Sequence, residues 1–304
     1  MDSGSKLQYG HSVNLMTNKE YKKRFLRRRI NLIIRYTILT FVAFIMLYPI
    51  LWLIGASFKS NSEIFSSIGF IPQKVDFTPY VKGWVTGTEY TFTTYFLNTF
   101  KIVIPKVIVT VISVILTAYG FARFNFPGKK VLFGILISTL FLPQIVTRIP
   151  MYLLWNKLGM LDRFAPLVIP SAFAIDAFFV FMLIQFMRSI PRELDEAATI
   201  DGCGPLRILI EIIIPILKPA IISVALFQFM WTMNDFMGPL IYISSVKKYP
   251  VAIALKMAMD TTSGAFDWNQ IIAMSIIALI PSILLFLFAQ KYFVEGISTS
   301  GIKG

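Results

Sequence analysis

Runs of apolar residues constrain the fold of this chain more than any other feature of its sequence. A helix needs about 20 apolar residues to cross the roughly 30 Å hydrocarbon core of a bilayer. The sequence contains six runs of about that length or longer, with prolines in the third and fourth, at 32–57, 97–122, 131–155, 164–187, 216–243 and 269–290. These runs predict an all-α integral membrane protein with six transmembrane helices.

The positions of the charged residues predict the orientation of these helices. The formal net charge of +13 would by itself also suit a nucleic-acid-binding protein. Lysines and arginines, however, cluster in segments that an even number of spans places on one side: Lys22, Lys23, Arg24, Arg27, Arg28, Arg29, Arg123, Lys129, Lys130, Arg188, Arg192 and Arg207. This positive-inside pattern predicts a multi-pass protein of the cell membrane with both termini in the cytoplasm. It accounts for the charge without a nucleic-acid partner.

The spans divide the chain into five predicted parts. These are a basic, partly disordered cytoplasmic arm at 1–31, a first membrane anchor at 32–57, an extracytoplasmic loop at 58–96, a core at 97–290 and a cytoplasmic tail at 291–304. Gly55-Ala56-Ser57 would suit a signal-peptide cleavage site. The first apolar run is too long for the apolar part of a signal peptide, so we expect an uncleaved anchor.

The composition argues against several kinds of chemistry within this chain. Cys203 is the single cysteine, so no intrachain disulfide can form. His11 is the single histidine, which excludes a histidine-based metal cluster. No Gly-x-x-x-x-Gly-Lys-Ser/Thr loop is present to bind ATP phosphates. We therefore expect a non-catalytic chain without its own cofactor, whose energy comes from another polypeptide or from an ion gradient.

A charged segment between the fourth and fifth apolar runs, which we call the charged hairpin, is the most informative motif. Residues 189–219 read SIPRELDEAATIDGCGPLRILIEIIIPILKP. Ser189 predicts the cap of a short helix and Pro191 its first turn. The acids Glu193, Asp195 and Glu196 would then lie at the positive end of the helix dipole. A solvated loop with the same acids is the simpler alternative.

The rest of the charged hairpin predicts a turn and a second helix. Ala197 and Ala198 provide a surface of small side chains that another protein can approach closely. Gly202 can adopt a positive φ and end the first helix. Gly204-Pro205 predicts the start of a second helix that breaks around Pro215 and Pro219.

The order of these residues resembles the EAA loop in permease subunits of ATP-binding-cassette (ABC) importers. The whole string is similar to the carbohydrate-uptake branch of that family, the relatives of the maltose permease subunits. Further stretches fit the same family: Ala118 to Phe124, Leu142-Pro143-Gln144, Ile149-Pro150, Asn234-Asp235-Phe236 and Pro239-Leu240. Met233 departs from the pattern, since tryptophan is common there. The C-terminal stretch from Gln290 resembles the second-subunit type, and the resemblance covers 97–304.

The resemblance implies a type I ABC importer permease fold with a cytoplasmic coupling helix. It implies a second permease subunit as heterodimer partner, two cytoplasmic ATPases that hold ATP and Mg, and an extracytoplasmic solute-binding protein. The implied ATPase-coupling residues are Glu193, Glu196, Ala197, Ala198, Asp201 and Gly202. The implied function is import of a sugar, most simply an oligosaccharide. The alternatives are an ABC permease for a non-sugar solute, or an ion-coupled transporter or channel, which would leave the charged hairpin without a role.

Polar residues inside the spans are candidates for the substrate pathway. Asp176 is predicted near the membrane midplane, where an ionisable group usually faces a cavity or a neighbouring helix. It is either a pathway residue or an acid that locks helix packing. The further candidates are Gln144, Arg148, Gln228, Asn234 and Asp235. We expect the last two to cap backbone groups near the outer interface.

Two further features of the outer half bear on the solute. Arg148 and Arg163 would suit an acidic oligosaccharide. The external aromatic residues, Trp155 among them, are expected in an interfacial belt more readily than in a sugar-stacking site.

Overall fold

The computed structural model describes residues 18–85, 90–259 and 267–300. Over these ranges the chain forms helices joined by turns, without a β-strand. The α-helices are α1 (Asn18–Ala56), α2 (Asn61–Ser66), α3 (Thr78–Val85), α4 (Phe92–Arg123), α5 (Lys129–Thr139), α6 (Gln144–Lys157), α7 (Ala165–Val168), α8 (Ala177–Ser189), α9 (Glu193–Ile200), α10 (Pro205–Ile208), α11 (Ile214–Met233), α12 (Met237–Tyr242), α13 (Val251–Met259) and α14 (Trp268–Ser300). This order confirms the predicted all-α class.

Five helical segments of the described chain are long and apolar enough to cross a membrane: Leu26–Ala56, Phe92–Arg123, Ala165–Ser189, Pro205–Met233 and Trp268–Lys291. They correspond to five of the six predicted runs. The third run is not one continuous helix, because α5 ends at Thr139 and α6 begins at Gln144. Pro143 explains this break, since proline disfavours helical backbone in the residue before it and donates no hydrogen bond.

The fourth and fifth spans also differ from their predicted form. In the fourth, α7 continues as a 3₁₀-helix over Ile169–Phe173, and Ala174 then adopts a φ of 50° before α8 begins. The fifth begins at Pro205 rather than 216, because α10, a π-helical turn at Leu209–Ile213 and α11 follow one another directly. It ends at Met233, so the predicted extension to 243 is wrong.

Both ends of the described chain are helical beyond the predicted spans. The predicted basic arm is helical from Asn18, because its residues 18–31 lack glycine and proline and include several strong helix formers. Residues 1–17 lie outside the described ranges. Likewise α14 continues through the predicted tail to Ser300. From Leu26 to Ile54 α1 is largely exposed, so its main packing partner there is lipid or another chain.

Two larger apolar clusters and one smaller one hold the helices together. The larger cluster joins α4, α8, α9 and α11 through side chains such as Val114, Phe179, Leu183 and Val224, which are fully buried. The second cluster joins α4, α13 and α14 around Tyr95 and Met274. α4 contributes to both larger clusters and is therefore the central helix of the subunit.

The segments predicted to be external contact one another. The side-chain amide of Asn98, near the start of α4, donates to the backbone carbonyl oxygens of Lys247 (2.7 Å) and Tyr249 (3.1 Å). Asn61, just after α1, donates to Asp267 at 3.0 Å. These contacts join Asn61 to Asp267 and the first turns of α4 to the segment after α12.

Asp162 anchors the loop between α6 and α7 to the segment after α12. Its carboxylate accepts hydrogen bonds from the backbone amides of Ser244 and Ser245, and its Oδ2 lies 2.7 Å from Lys248 Nζ. Burial alone would raise the pKa of Asp162, but the hydrogen bonds from Lys248, Ser245 and Ser244 outweigh it and hold the pKa below its usual 3.8. The anchor therefore contributes its full stability above pH 3.8 and loses it only as the pH falls through the lowered value.

The C-terminal end of α1 is closed by the loop at 67–71. Lys59 is 1% exposed and donates to the carbonyl oxygen of Gly69. Gly55 lies directly beneath this loop, so a Cβ at that position would be 1.6 Å from the carbonyl oxygen of Phe70. Only glycine fits this approach of one backbone to another.

We expect Gly55→Ala to lower the free energy of unfolding by roughly 1–3 kcal/mol, because the added methyl group forces the two backbones apart. The measurement is the thermal unfolding midpoint of the purified protein in detergent. Gly134→Ala in α5 is the matched control, since a Cβ there meets nothing within 4 Å. Equal midpoints for Gly55→Ala and the unmodified protein would contradict the close packing at Gly55.

Candidate functional site

The charged hairpin begins at the end of α8. Ser189 is the last residue of α8, and its hydroxyl donates to the carbonyl oxygen of Phe186 at 2.7 Å. Arg192 is the residue before α9, and it makes no side-chain cap. The predictions that Ser189 caps the helix and that Pro191 lies in its first turn are therefore wrong. The longer α8 incorporates Ser189, and the extended backbone at Ile190 starts the turn.

An ion pair attaches α9 to the end of α4. Arg123 Nε lies 2.8 Å from Asp195 Oδ2, and the two side chains are only 7% and 20% exposed. The same guanidinium donates from Nη2 to the carbonyl oxygen of Ile190 at 3.2 Å. Arg192 of the charged hairpin in turn donates to the carbonyl oxygen of Ala122 in α4 at 3.3 Å. The sequence had placed Arg123 only among the basic residues predicted on the cytoplasmic side, because nothing in its local pattern points to an acid on a distant helix.

The turn after α9 is a Schellman motif. Gly202 has a φ of 82°, as predicted. The backbone amide of Cys203 donates to the carbonyl oxygen of Ala198 at 2.9 Å, and that of Gly202 to Thr199 at 3.0 Å. A Cβ at Gly202 would meet nothing within 4 Å. The requirement for glycine is therefore conformational rather than steric.

The two alanines of the EAA string face different surroundings. Ala197 is exposed, whereas Ala198 is 5% exposed and packs in the larger apolar cluster with Ile208 and Cys203. The prediction of a shared small-residue surface is therefore wrong for Ala198. Because α9 has one apolar and one polar face, neighbouring residues such as these two point towards different surroundings.

The second arm of the charged hairpin runs into the fifth span. Gly204 precedes α10 and Pro205 is in its first turn, as predicted, and the hydroxyl of Tyr119 donates to the carbonyl oxygen of Pro205 at 3.0 Å. The helix does not break at Pro215 or Pro219. The π-helical turn at Leu209–Ile213 comes directly before Pro215, which lies in the first turn of α11, where a missing amide proton is tolerated.

One face of the charged hairpin exposes apolar and acidic side chains together. Ile200, Leu206 and Ile210 are 86%, 63% and 55% exposed. Residues Gly204 to Arg207, with Ile210 and Glu211, line an open groove of about 470 Å³. We call the exposed residues Glu193, Glu196, Ala197, Ile200, Asp201 and Leu206 the docking face. Exposed apolar residues of this kind indicate a surface that binds a protein partner. Their presence on an otherwise charged segment was a sequence signal for such a surface, and the sequence analysis did not use it.

The candidate pathway residues do not form one cluster. Asp176 precedes α8 directly, at the interruption of the fourth span, and its side chain makes no capping hydrogen bond. The structure thus places Asp176 at a helix break within the fourth span, and its role in the substrate pathway stays a prediction. An acid at a helix interruption can face a cavity, because the backbone groups that lose their helical hydrogen bonds there also need polar surroundings.

The candidates on and after α11 make local hydrogen bonds. Gln228 is 2% exposed, and its amide donates to the hydroxyl of Thr232 at 3.0 Å. The amide of Asn234 donates to the carbonyl oxygen of Met230 at 2.8 Å, and Asp235 Oδ1 accepts from the amide of Gly238 at 2.9 Å. Asn234 and Asp235 thus make the backbone-capping contacts expected of them.

The remaining two candidates lie on α6. Gln144 is its first residue, and only its backbone is described. Arg148 lies one turn later and is partly buried. Trp155 of the same helix is 6% exposed, so the expectation of an interfacial belt position is wrong for this residue.

Comparisons with known proteins agree with this arrangement. Residues 110–299 match the family model described as binding-protein-dependent transport system inner membrane component. The chain is 30% identical over 278 residues to the galactooligosaccharides transport system permease protein GanQ of Bacillus subtilis, covering 91% of this chain and 98% of that protein. It is 27% identical over 266 residues to the diacetylchitobiose uptake system permease protein NgcG of Streptomyces coelicolor, covering 87% of each.

A solved structure has the same fold. It belongs to a bacterial ABC transporter involved in the import of the acidic polysaccharide alginate, and the match has a TM-score of 0.75 at 25% identity. The match covers 87% of this chain and 97% of the other.

We expect Asp195→Asn to destabilise the protein by about 3 kcal/mol, because it leaves the buried guanidinium of Arg123 without a counter-charge. Glu211→Gln is the matched control, since it breaks the pair of Arg207 and Glu211, whose side chains are 65% and 54% exposed. That change should cost about 0.5 kcal/mol or less. Thermal unfolding in detergent measures both, and equal effects of the two variants would contradict the importance of the Arg123–Asp195 pair.

Proposed function

This chain belongs to the family of binding-protein-dependent transport system inner membrane components, and we propose that it imports an oligosaccharide as the permease subunit of an ATP-driven ABC importer. The observation that carries the proposal is the charged hairpin, which presents its docking face while Asp195 is held to Arg123 of the central helix. An ion-coupled transporter or channel has no use for this arrangement. Permeases named for oligosaccharides among the relatives support the class of solute.

The charged hairpin acts as a lever between an ATPase and the membrane helices. A cytoplasmic ATPase grips the docking face, where Glu196 and Asp201 make polar contacts and Ala197 permits close approach. Movement of α9 is transmitted to α4 through the Arg123–Asp195 pair and to α11 through the turn at Gly202. Both helices share the larger apolar cluster, so they move as one body. Rocking of this body alternates access between the two sides of the membrane.

The chain works in a complex. Two cytoplasmic ATPases bind ATP and Mg, while this chain is a non-catalytic subunit. An extracytoplasmic solute-binding protein delivers the oligosaccharide, and a second permease subunit completes the pathway. Exposed apolar residues of α6, including Val146, Ile149 and Leu153, and the largely exposed α1 provide surfaces for that subunit and for lipid. Both termini face the cytoplasm.

We expect Ala197→Trp to abolish binding of the ATPase and to reduce ATP-dependent uptake at least tenfold, because a bulky side chain blocks the docking face. Its thermal midpoint should equal that of the unmodified permease pair, since Ala197 is exposed. Ala198→Leu is the paired variant, and it should lower the midpoint because it overpacks the apolar cluster.

Copurification with the ATPases and uptake into vesicles that contain the reconstituted complex measure these effects. Unchanged copurification and uptake for Ala197→Trp would contradict the docking face. Absence of ATP-dependent uptake for every oligosaccharide in a panel, with uptake of another solute class, would show that the solute is not a sugar.

A further inference from the structure

Two buried hydrogen-bond donors on α6 lack acceptors. Arg148 Nη1 and Trp155 Nε1 are inaccessible to solvent and have no hydrogen-bond partner among the described side chains and backbone groups. Both groups only donate. A buried donor without an acceptor costs free energy. The proposed function gives no use to this pair, so it calls for an acceptor that the subunit itself does not supply.

The two donors share one face of α6. Arg148, Tyr152 and Trp155 are four and three residues apart, which places them side by side along a helix. Trp155 is 6% exposed, whereas Val146, Ile149 and Leu153 are 57%, 71% and 54% exposed. The donors therefore face the interior of the subunit, and the apolar residues face away from it.

An aromatic pair lies between α6 and α12. The rings of Tyr152 and Tyr242 are 6.5 Å apart at an interplanar angle of 24°. Tyr242 is fixed in position because its carbonyl oxygen accepts from the backbone amide of Asp162 at 2.8 Å. Burial raises the pKa of the Tyr242 hydroxyl, while the charge of Arg148 lowers that pKa and the charge of Asp235 raises it further.

Asp235 does not neutralise Arg148. Its Oδ1 accepts from the amide of Gly238. The ion pairs found within the described ranges join Arg123 to Asp195, Arg207 to Glu211 and Lys248 to Asp162, and none involves Arg148. The guanidinium thus retains donors for a ligand.

We propose that Arg148, Tyr152, Trp155 and Tyr242 form an occluded binding site for a carboxylate-bearing sugar, such as a uronic acid residue of an oligosaccharide. The planar guanidinium of Arg148 matches a carboxylate with two parallel hydrogen bonds. The indole of Trp155 donates to a hydroxyl or ring oxygen. The tyrosines contribute ring surface and hydroxyl groups. This site rests on the proposed function, because it names the class of oligosaccharide that the permease carries.

A sugar fits this site better than an acid of the second permease subunit. A protein that docks on the exposed side of α6 meets Val146, Ile149 and Leu153, on the side of the helix away from Arg148. A small ligand enters when α6 moves relative to α12. The break at Pro143 allows this movement, because the helical hydrogen bonds between α5 and α6 are interrupted there.

Direct binding to the purified complex of permeases and ATPases, without the solute-binding protein, tests the site. The probes are trigalacturonate, triglucuronate and the neutral trisaccharides of galactose and glucose with the same linkages, measured by isothermal titration. We expect the complex to bind at least one uronate more tightly than its neutral counterpart. Arg148→Gln should weaken that binding roughly 10- to 100-fold and leave neutral binding unchanged.

Three further variants separate a binding role from a structural one. Arg148→Lys should weaken uronate binding less than Arg148→Gln, because it keeps the charge but loses the planar fork. Trp155→Phe should weaken uronate binding while retaining the ring. Lys157→Gln is the control, since it removes an exposed positive charge from the last turn of the same helix and should change nothing. The thermal midpoint of Arg148→Gln should be equal to or above that of the unmodified complex, because an unpaired buried charge is removed.

Several results would overturn the proposal. Equal binding of uronates and neutral sugars would be one such result, and unchanged uronate binding by Arg148→Gln would be another. Loss of the second permease subunit from Arg148→Gln would assign the arginine to the interface between subunits. Any of these results with intact ATP-dependent uptake of neutral oligosaccharides leaves the proposed function standing. Absence of all oligosaccharide uptake would instead overturn the proposed function.

Discussion

A nearly buried ion pair between Arg123 and Asp195 holds the charged hairpin to the central helix, and the rest of the proposed mechanism depends on it. A buried charge is costly unless its partner is present, so the pair fixes α9 against the end of α4. The Schellman turn at Gly202 then directs the chain into the fifth span. The charged hairpin is consequently part of the membrane helix bundle rather than a loop attached to it. In the proposed mechanism, force applied to its exposed face therefore reaches both α4 and α11.

The membrane-spanning helices combine rigidity with local interruptions. α4 is one continuous helix and contributes to both larger apolar clusters. By contrast, the interruptions at Pro143 and Ala174 and the π-helical turn before Pro215 lie in helices that pack around it. Each interruption frees backbone groups that need polar partners, which lipid does not offer. Interruptions therefore belong where helices meet one another or a cavity, and Asp176 and Arg148 lie close to two of them in the sequence.

Much of the fold could be predicted because membrane thickness sets the length of an apolar run. The family resemblance of the charged hairpin and the left-handed Gly202 were likewise readable, since both depend on local residue types. The opposite orientations of Ala197 and Ala198 could not be assigned without knowing which face of α9 meets the apolar cluster. The partners of Arg123 and the unpaired donors of Arg148 and Trp155 depend on contacts between distant segments, which periodicity does not reveal.

The most direct test of the central claim is disulfide-independent crosslinking from a single cysteine at position 197. Cys203 is the only natural cysteine, so Ala197→Cys in a Cys203→Ala chain carries one reactive thiol. A short thiol-to-amine crosslinker, applied to membranes that contain the assembled transporter, should join position 197 to an ATPase subunit. The same crosslinker at Lys74→Cys, in the loop predicted to be external, should not reach an ATPase subunit. Labelling of position 197 only from outside the cell, or no crosslink to an ATPase in any nucleotide state, would contradict the account.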